Sequence, residues 1–210
     1  MPRSVPPKAR KKPAKPYHHG DLRRALVDQA LRTIQSHGVE QLTLRTVGAK
    51  LGVSRSALYR HFADKQALLA EVGTEGFRKL RQTLAAAWEK NGHGRSGFDA
   101  MGRAYVEFAL AHPSHYRVMF GGFMESAAKD DQLLTEAQAA FQVLVDALAE
   151  QQTAGGIRPE DPVLMARFVW AVVHGTSMLI IDGQLAEADQ AEALQRYSVE
   201  KIYAAIRQDA

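Results

Sequence analysis

From Asp21 onward the apolar residues recur at three- and four-residue intervals and nowhere alternate, the periodicity of helices rather than strands. Leu22, Leu26, Val27, Ala30, Leu31 and Ile34 open the series, and Gly38 supplies a stop. Thr43 can cap a second helix running through Leu51, Gly52 permits a left-handed turn, and Ser54 can cap a third helix ending near Phe62. Asp64 caps a fourth, from Lys65 to about Lys90, whose Gly73 and Gly76 call for a packing or hinge explanation. Beyond NGHGRSG (91–97) the pattern predicts helices over 98–112, 115–120, 128–153, 161–184 and 189–208. The expected fold class is all-α.

Composition places this fold in a soluble, reducing setting. Hydrophobic residues make up 46% and charged residues 24%, enough for a packed core, and no cysteine is present to form a disulfide or thiolate metal site. The N-terminus has basic residues with no apolar stretch behind them, and the run FVWAVV (168–173) is short for a membrane span. These features predict a cytoplasmic protein without a membrane partner. Charge is divided unevenly: residues 1–65 carry 14 Lys/Arg against 4 Asp/Glu, and the remainder carries 13 against 19. Only the first part is suited to a polyanion. Residues 1–16, with five prolines and six basic residues, read as a disordered basic arm that either touches phosphate loosely or only solubilises.

The segment GAKLGVSRSALYRHF (48–62) combines two short helices with a sharp turn, a helix-turn-helix layout. Ala49 is small where the helices must approach, and Val53 and Leu58 can fill the angle between them. Arg55, Ser56, Ala57, Tyr59, Arg60 and His61 then divide between a groove and solvent. A core helix would not devote so many positions to hydrogen-bonding side chains.

Residues 18–65, HHGDLRRALVDQALRTIQSHGVEQLTLRTVGAKLGVSRSALYRHFADK, resemble the DNA-binding domain of TetR-type transcriptional regulators. Trp170, His174 and Gly175 in FVWAVVHGTSML (168–179) resemble the signature of a Trp-His-Gly subgroup of that family. Beyond the arm at 1–16, the resemblance implies a three-helix DNA-binding domain at 17–65 and an effector-binding and dimerisation domain at 66–210. It implies a homodimer that lays its third helices in successive major grooves of a palindromic operator on double-stranded DNA. Arg55 would read a guanine edge, since a guanidinium bonds O6 and N7 together. Ser54 and Ser56 would reach base edges or phosphate, and Ala57 would offer an apolar contact. Tyr59, His61 and Lys65 would grip phosphate, Thr43 and Arg45 would clamp the flanking backbone, and Arg60 either joins them or stays in solvent.

The body is rich in aromatic and methionine residues: Phe98, Met101, Tyr105, Phe108, Tyr116, Met119, Phe120, Phe123, Met124, Phe141, Met165 and Phe168. Each alone reads as core packing. Together they also suit an adaptable apolar pocket, which the resemblance implies, and the lack of charged residues among them disfavours a very polar ligand. His174, inside an apolar stretch, either orients helix packing or touches the effector. His112 and His115 read as a helix end rather than a metal site, and no cofactor is expected. The segments 161–184 and 189–208 are the expected dimer surface, because Leu194, Tyr197, Ile202, Tyr203 and Ile206 lie too near the C-terminus for all to be buried in one subunit.

The expected function is therefore a repressor released by an apolar or amphipathic small molecule. Two other classes stay open. An enzyme lacks a nucleophile–base–orienter set in the sequence, and a non-specific architectural DNA binder would show steep salt dependence without sequence preference.

Overall fold

The computed structural model describes residues 19–122, 130–185 and 187–208. Among them are nine helices: α1 (His19–His37), α2 (Leu44–Leu51), α3 (Arg55–Tyr59), α4 (Lys65–Lys90), α5 (Gly94–Ala111), α6 (Pro113–Phe120), α7 (Asp131–Thr153), α8 (Pro162–Ile181) and α9 (Ala188–Ile206). The described residues hold no strand, only one isolated bridge from Ile157 to Arg207 that ties the chain end to the α7–α8 turn. The expected arm at 1–16, and Phe123 and Met124, lie outside the described residues.

Helices α1–α3 close around Leu26, Val27, Ile34, Leu42, Val47 and Leu58, and the first turns of α4 add Leu68, Leu69 and Val72 to the same core. Local signals set these boundaries. Thr43 and Thr46 form a reciprocal capping box at α2, with Thr46 N donating to Thr43 Oγ1 at 3.0 Å. Gly52 closes α2 at φ +66°. Ser54 Oγ accepts from Ala57 N at 3.2 Å, and Asp64 Oδ1 from Ala67 N at 2.8 Å. The small residue at the α2–α3 crossing is Gly48, not Ala49. Gly48 is buried, with the site of a Cβ 3.1 Å from Leu58 Cδ2, whereas Ala49 is exposed. Helix α3 ends at Tyr59 rather than near Phe62, although Phe62 N still bonds Leu58 O at 3.2 Å.

Helix α4 runs from this head into the body and packs most extensively against α7, α5 and α6. Its interior glycines answer a packing need. A Cβ on Gly76 would stand 2.5 Å from Met119 Sδ, and one on Gly73 would stand 3.0 Å from Leu133 Cδ1. Helix α5 begins four residues earlier than 98, at Gly94, because Gly97 fits under the Trp88 ring and His93 bonds Glu150 at 2.7 Å. The last helix also differs from expectation: Ile202 and Ile206 are buried within the subunit, and only Tyr197 of that apolar set is well exposed, at 58%.

Candidate nucleic-acid interface and ligand cavity

The head presents its polar side chains on and around α3. Arg55, Ser56, Tyr59 and Arg60 are exposed, and the Arg55 guanidinium lies 5.5 Å from the centre of the Tyr59 ring. That contact holds two flexible groups in one arrangement. Ser54 spends its oxygen on capping and stands 3.1 Å from Ser56 Oγ. Ala57 is half-buried against the head core, so only part of its methyl faces outward. His61 is half-buried, and its carbonyl accepts from Arg23 Nη1 at 3.1 Å. Thr43 is exposed, with its hydroxyl engaged in the capping box, and Arg45 is exposed on the first turn of α2.

Lys65 is used differently from the expectation. Its ammonium donates to Val39 O at 2.8 Å and Glu40 O at 3.2 Å, pinning the α1–α2 loop and leaving one N–H of three. Ion pairs join the head to α4: Arg23 to Glu71, and Arg24 to Glu75 at 2.9 Å. His115, buried on α6, faces Glu75 at 3.5 Å and with Lys79 and Arg24 holds the Glu75 carboxyl well below the usual range. His112 lies against the Phe108 ring instead, and burial lowers its proton affinity.

Inside the body the helices line a partly open cavity of about 290 Å³. Phe98, Met101 and Tyr105 of α5 line it, as do Met119 and Phe120 of α6 and Phe141 of α7, all six expected from the sequence. Phe77, Leu80 and Leu84 of α4 complete one wall, and Trp170, Val173 and Ile202 another. The α4 wall has no counterpart among the pocket residues expected from the sequence, although 77, 80 and 84 show the same helical stripe. Phe108, Tyr116 and Met165 are buried in the core without reaching the wall, since their stripes outrun the cavity. Phe168 points outward at 46% exposure, on a different side of α8 from the buried Met165 and Val169.

His174 is not on the wall either; it stands behind it. Trp170 Nε1 donates to Tyr105 Oη at 2.9 Å, Tyr105 Oη lies 3.0 Å from Tyr116 Oη, and Tyr116 Oη lies 2.6 Å from His174 Nδ1. Burial pushes the Tyr105 phenol up to about 12, pushes Tyr116 up as well, and lowers His174. The chain of groups is therefore uncharged near neutral pH. The cavity can hold an apolar molecule, and its polar wall atoms are already bonded to one another.

Comparison with known proteins finds two family matches along the chain. The profile described as "Bacterial regulatory proteins, tetR family" matches residues 26–72, and "Tetracyclin repressor-like, C-terminal domain" matches residues 98–202. An uncharacterized helix-turn-helix-type transcriptional regulator of Bacillus subtilis, YobS, is 30% identical over 97 residues, 46% of this chain and 50% of that protein. A solved structure of a protein with unknown function from Rhodococcus sp. RHA1 is 34% identical and covers 93% of this chain and 100% of its own, with a TM-score of 0.82. A TetR-family regulatory protein from Rhodococcus RHA1 shares the fold at 18% identity, with a TM-score of 0.71 over 90% of this chain and 98% of its own. The chain spans about half the length of the YobS relative. With an exposed helix-turn-helix at one end and a matched regulator body at the other, the chain belongs to the TetR family of helix-turn-helix transcriptional regulators.

Proposed function

We propose that this regulator is a repressor that binds a palindromic operator as a homodimer and is released when a small apolar or amphipathic effector enters the body. The observation that carries the reading is the double membership of α4. Its first turns belong to the head core through Leu68, Leu69 and Val72, and further along Phe77, Leu80 and Leu84 wall the cavity. A ligand that favours one position of α4 therefore shifts the head that carries Arg55 and Tyr59. In this reading Arg55 reads a base edge, and Ser56, Tyr59, Arg60, Arg45 and Thr43 set its register on phosphate.

Pairing is supported by the outer side of α8. Leu164 (66% exposed), Phe168 and Leu179 fall on one face with Ala171 and Gly175, and a Cβ on Gly175 would meet nothing within the subunit. Helix α8 is also long and apolar enough to cross a membrane by length and composition. Both of its faces are apolar for separate reasons: one packs in the core, and the other is covered by a second copy. Tyr197 of α9 extends that surface. The Trp-His-Gly subgroup assignment follows the same helix, whose Trp170 meets the cavity and whose Gly175 meets the partner. Such a regulator works in the cytoplasm, beside the chromosome.

The experiment is site selection from random DNA at near-physiological salt with wild type and Arg55→Ala, alongside light scattering for mass. A two-fold palindrome that loses one base preference per half-site in the variant supports the reading. Binding without an enriched motif, fading only with salt, would favour the architectural alternative.

A further inference from the structure

If the cavity is the effector site, the hydrogen-bond chain behind its wall is still without a purpose, and the role assigned to it here rests on that reading of the cavity. We propose that Tyr105 is the adjustable polar contact of the cavity, and that the Trp170–Tyr105–Tyr116–His174 chain sorts uncharged ligands by hydrogen-bond polarity, with acceptor-bearing ligands bound together with a proton on His174.

Counting protons along the chain leads there. An indole N–H only donates, so the Tyr105 oxygen must accept from Trp170 at 2.9 Å. Tyr105 then has one O–H to give and one lone pair left, and the short contacts from Tyr105 through Tyr116 to His174 can run in two directions. In the first, Tyr105 donates to Tyr116 and Tyr116 donates to a bare His174 Nδ1, so the ligand meets only a lone pair. In the second, His174 Nδ1–H donates to Tyr116 and Tyr116 donates to Tyr105. The Tyr105 O–H is then free to turn into the cavity. The same three contacts, at 2.9, 3.0 and 2.6 Å, serve both orderings.

Protonation of His174 biases the choice. An imidazolium carries hydrogen on both nitrogens, so the first ordering is lost and the second, in which Tyr116 passes its proton to Tyr105, is favoured. A ketone or ether therefore favours the proton, and an N–H or O–H donor competes with it. The surroundings of His174 add no other titrating influence. Tyr105 from α5 and Tyr116 from α6 are its hydrogen-bonding neighbours, and Phe120 of α6 and Trp170 of α8 flank the ring. Burial is the cause acting on its protonation, and no charged side chain among the described residues contributes to it. Ser177 gives its hydroxyl proton to Val173 O at 2.8 Å. Among the described residues the cavity wall includes no charged side chain, so ionised ligands carry an uncompensated desolvation cost.

Three probes of matched size separate the cases: acetophenone, an acceptor; indole, a donor; and indene, which is neither. A cavity of roughly 150 Å³ already holds benzene, so all three fit by volume. Binding to the full-length protein is followed by calorimetry and by tryptophan fluorescence. Acetophenone affinity is expected to rise by up to about tenfold from about pH 8 to about pH 6, indole affinity to fall, and indene affinity to stay level. His174→Gln, which cannot titrate, removes this divergence, and Tyr105→Phe removes the preference of acetophenone over indene. A common pH response for all three probes, or a divergence that persists in His174→Gln, overturns the inference and leaves the effector cavity standing. If none of the three binds at any pH, the cavity reading itself fails and takes this inference with it.

Discussion

The head and the body place their chemistry in opposite ways. On α3 the polar side chains stand in solvent, each reachable by a partner and each a feature of one residue: Arg55, Ser56, Tyr59 and Arg60 are all exposed. In the body the distinctive feature is a volume left between six helices, with its few polar atoms bonded to each other. A surface site can be altered with few consequences beyond the immediate neighbour, such as Tyr59 beside Arg55. A cavity site is shared by its walls, so altering one wall moves the others. Helix α4 belongs to both and is where the distinction should break down.

The largest test of that separation is Leu58→Ala. Leu58 is 2% exposed and fills the space against Gly48, so its loss should cost about 2–5 kcal/mol of stability. Thermal unfolding should show the head melting first while cavity ligands still bind. Simultaneous loss of both would show that head and body are one cooperative unit. Arg55→Ala should cost almost nothing in stability, because the guanidinium is exposed and rests against the equally exposed Tyr59 ring. It should weaken operator binding by about 1–3 kcal/mol, or roughly 5- to 150-fold, at one base position per half-site. Equal weakening on random DNA would make Arg55 a phosphate contact.

The same contrast explains what the sequence discloses. Helix boundaries in the head follow from caps that act within a turn or two, so Thr43, Gly52, Ser54 and Asp64 can each be recognised from their own neighbourhood. The polar face of α3 is legible because too many donors occupy it for a core helix. Gly48 hides behind Ala49 because their order round α2 depends on where α3 crosses. In the body, a stripe such as 98, 101, 105 and 108 predicts one buried face, and Phe108 is indeed buried. Nothing in a stripe says where the cavity stops. That depends on how α4 packs against α5, α6 and α7, a tertiary fact, and the Phe77–Leu84 wall becomes visible only there.

A third substitution acts at the shared helix. Gly76→Ala places a Cβ 2.5 Å from Met119 Sδ and 3.3 Å from His115 Cβ. Methionine can yield, so the cost should be about 1–3 kcal/mol. Met119 also lines the cavity, and Glu75 next door pairs with Arg24 of the head. Ligand affinity and operator affinity should therefore both change, unlike the two head variants, and calorimetry beside operator titration would show it. A change in stability alone would deny α4 its coupling role.

A smaller effect is expected at Gly52, confined to the head. Its φ of +66° suits glycine, and an added Cβ would meet no atom within 4 Å, so Gly52→Ala should cost only the backbone strain, about 1–2 kcal/mol. Asparagine tolerates that conformation better, so Gly52→Asn should recover part of the loss in a denaturant titration. Equal losses would mean that bulk, rather than the left-handed backbone, is what the turn resists.

The smallest effect is a pH dependence belonging to the body, because the contributions oppose one another. His93 bonds Glu150 and Glu89, which raise its proton affinity. Its contribution to stability is fully present below the ordinary histidine value of about 6.5 and is lost as pH rises through its folded value. His174 and His112 are lowered, chiefly by burial. Their contribution is present above about 6.5 and is lost as pH falls through their folded values. Acidification from neutrality thus strengthens the turn between α4 and α5 while loosening the α5–α6 junction and the inner face of α8. Wild type should show a shallow slope of stability against pH in this range. His93→Gln should make the protein lose stability more steeply on acidification, and His174→Gln less steeply. Slopes that move the same way in both variants would show that one of the two imidazoles titrates in an environment unlike the one described.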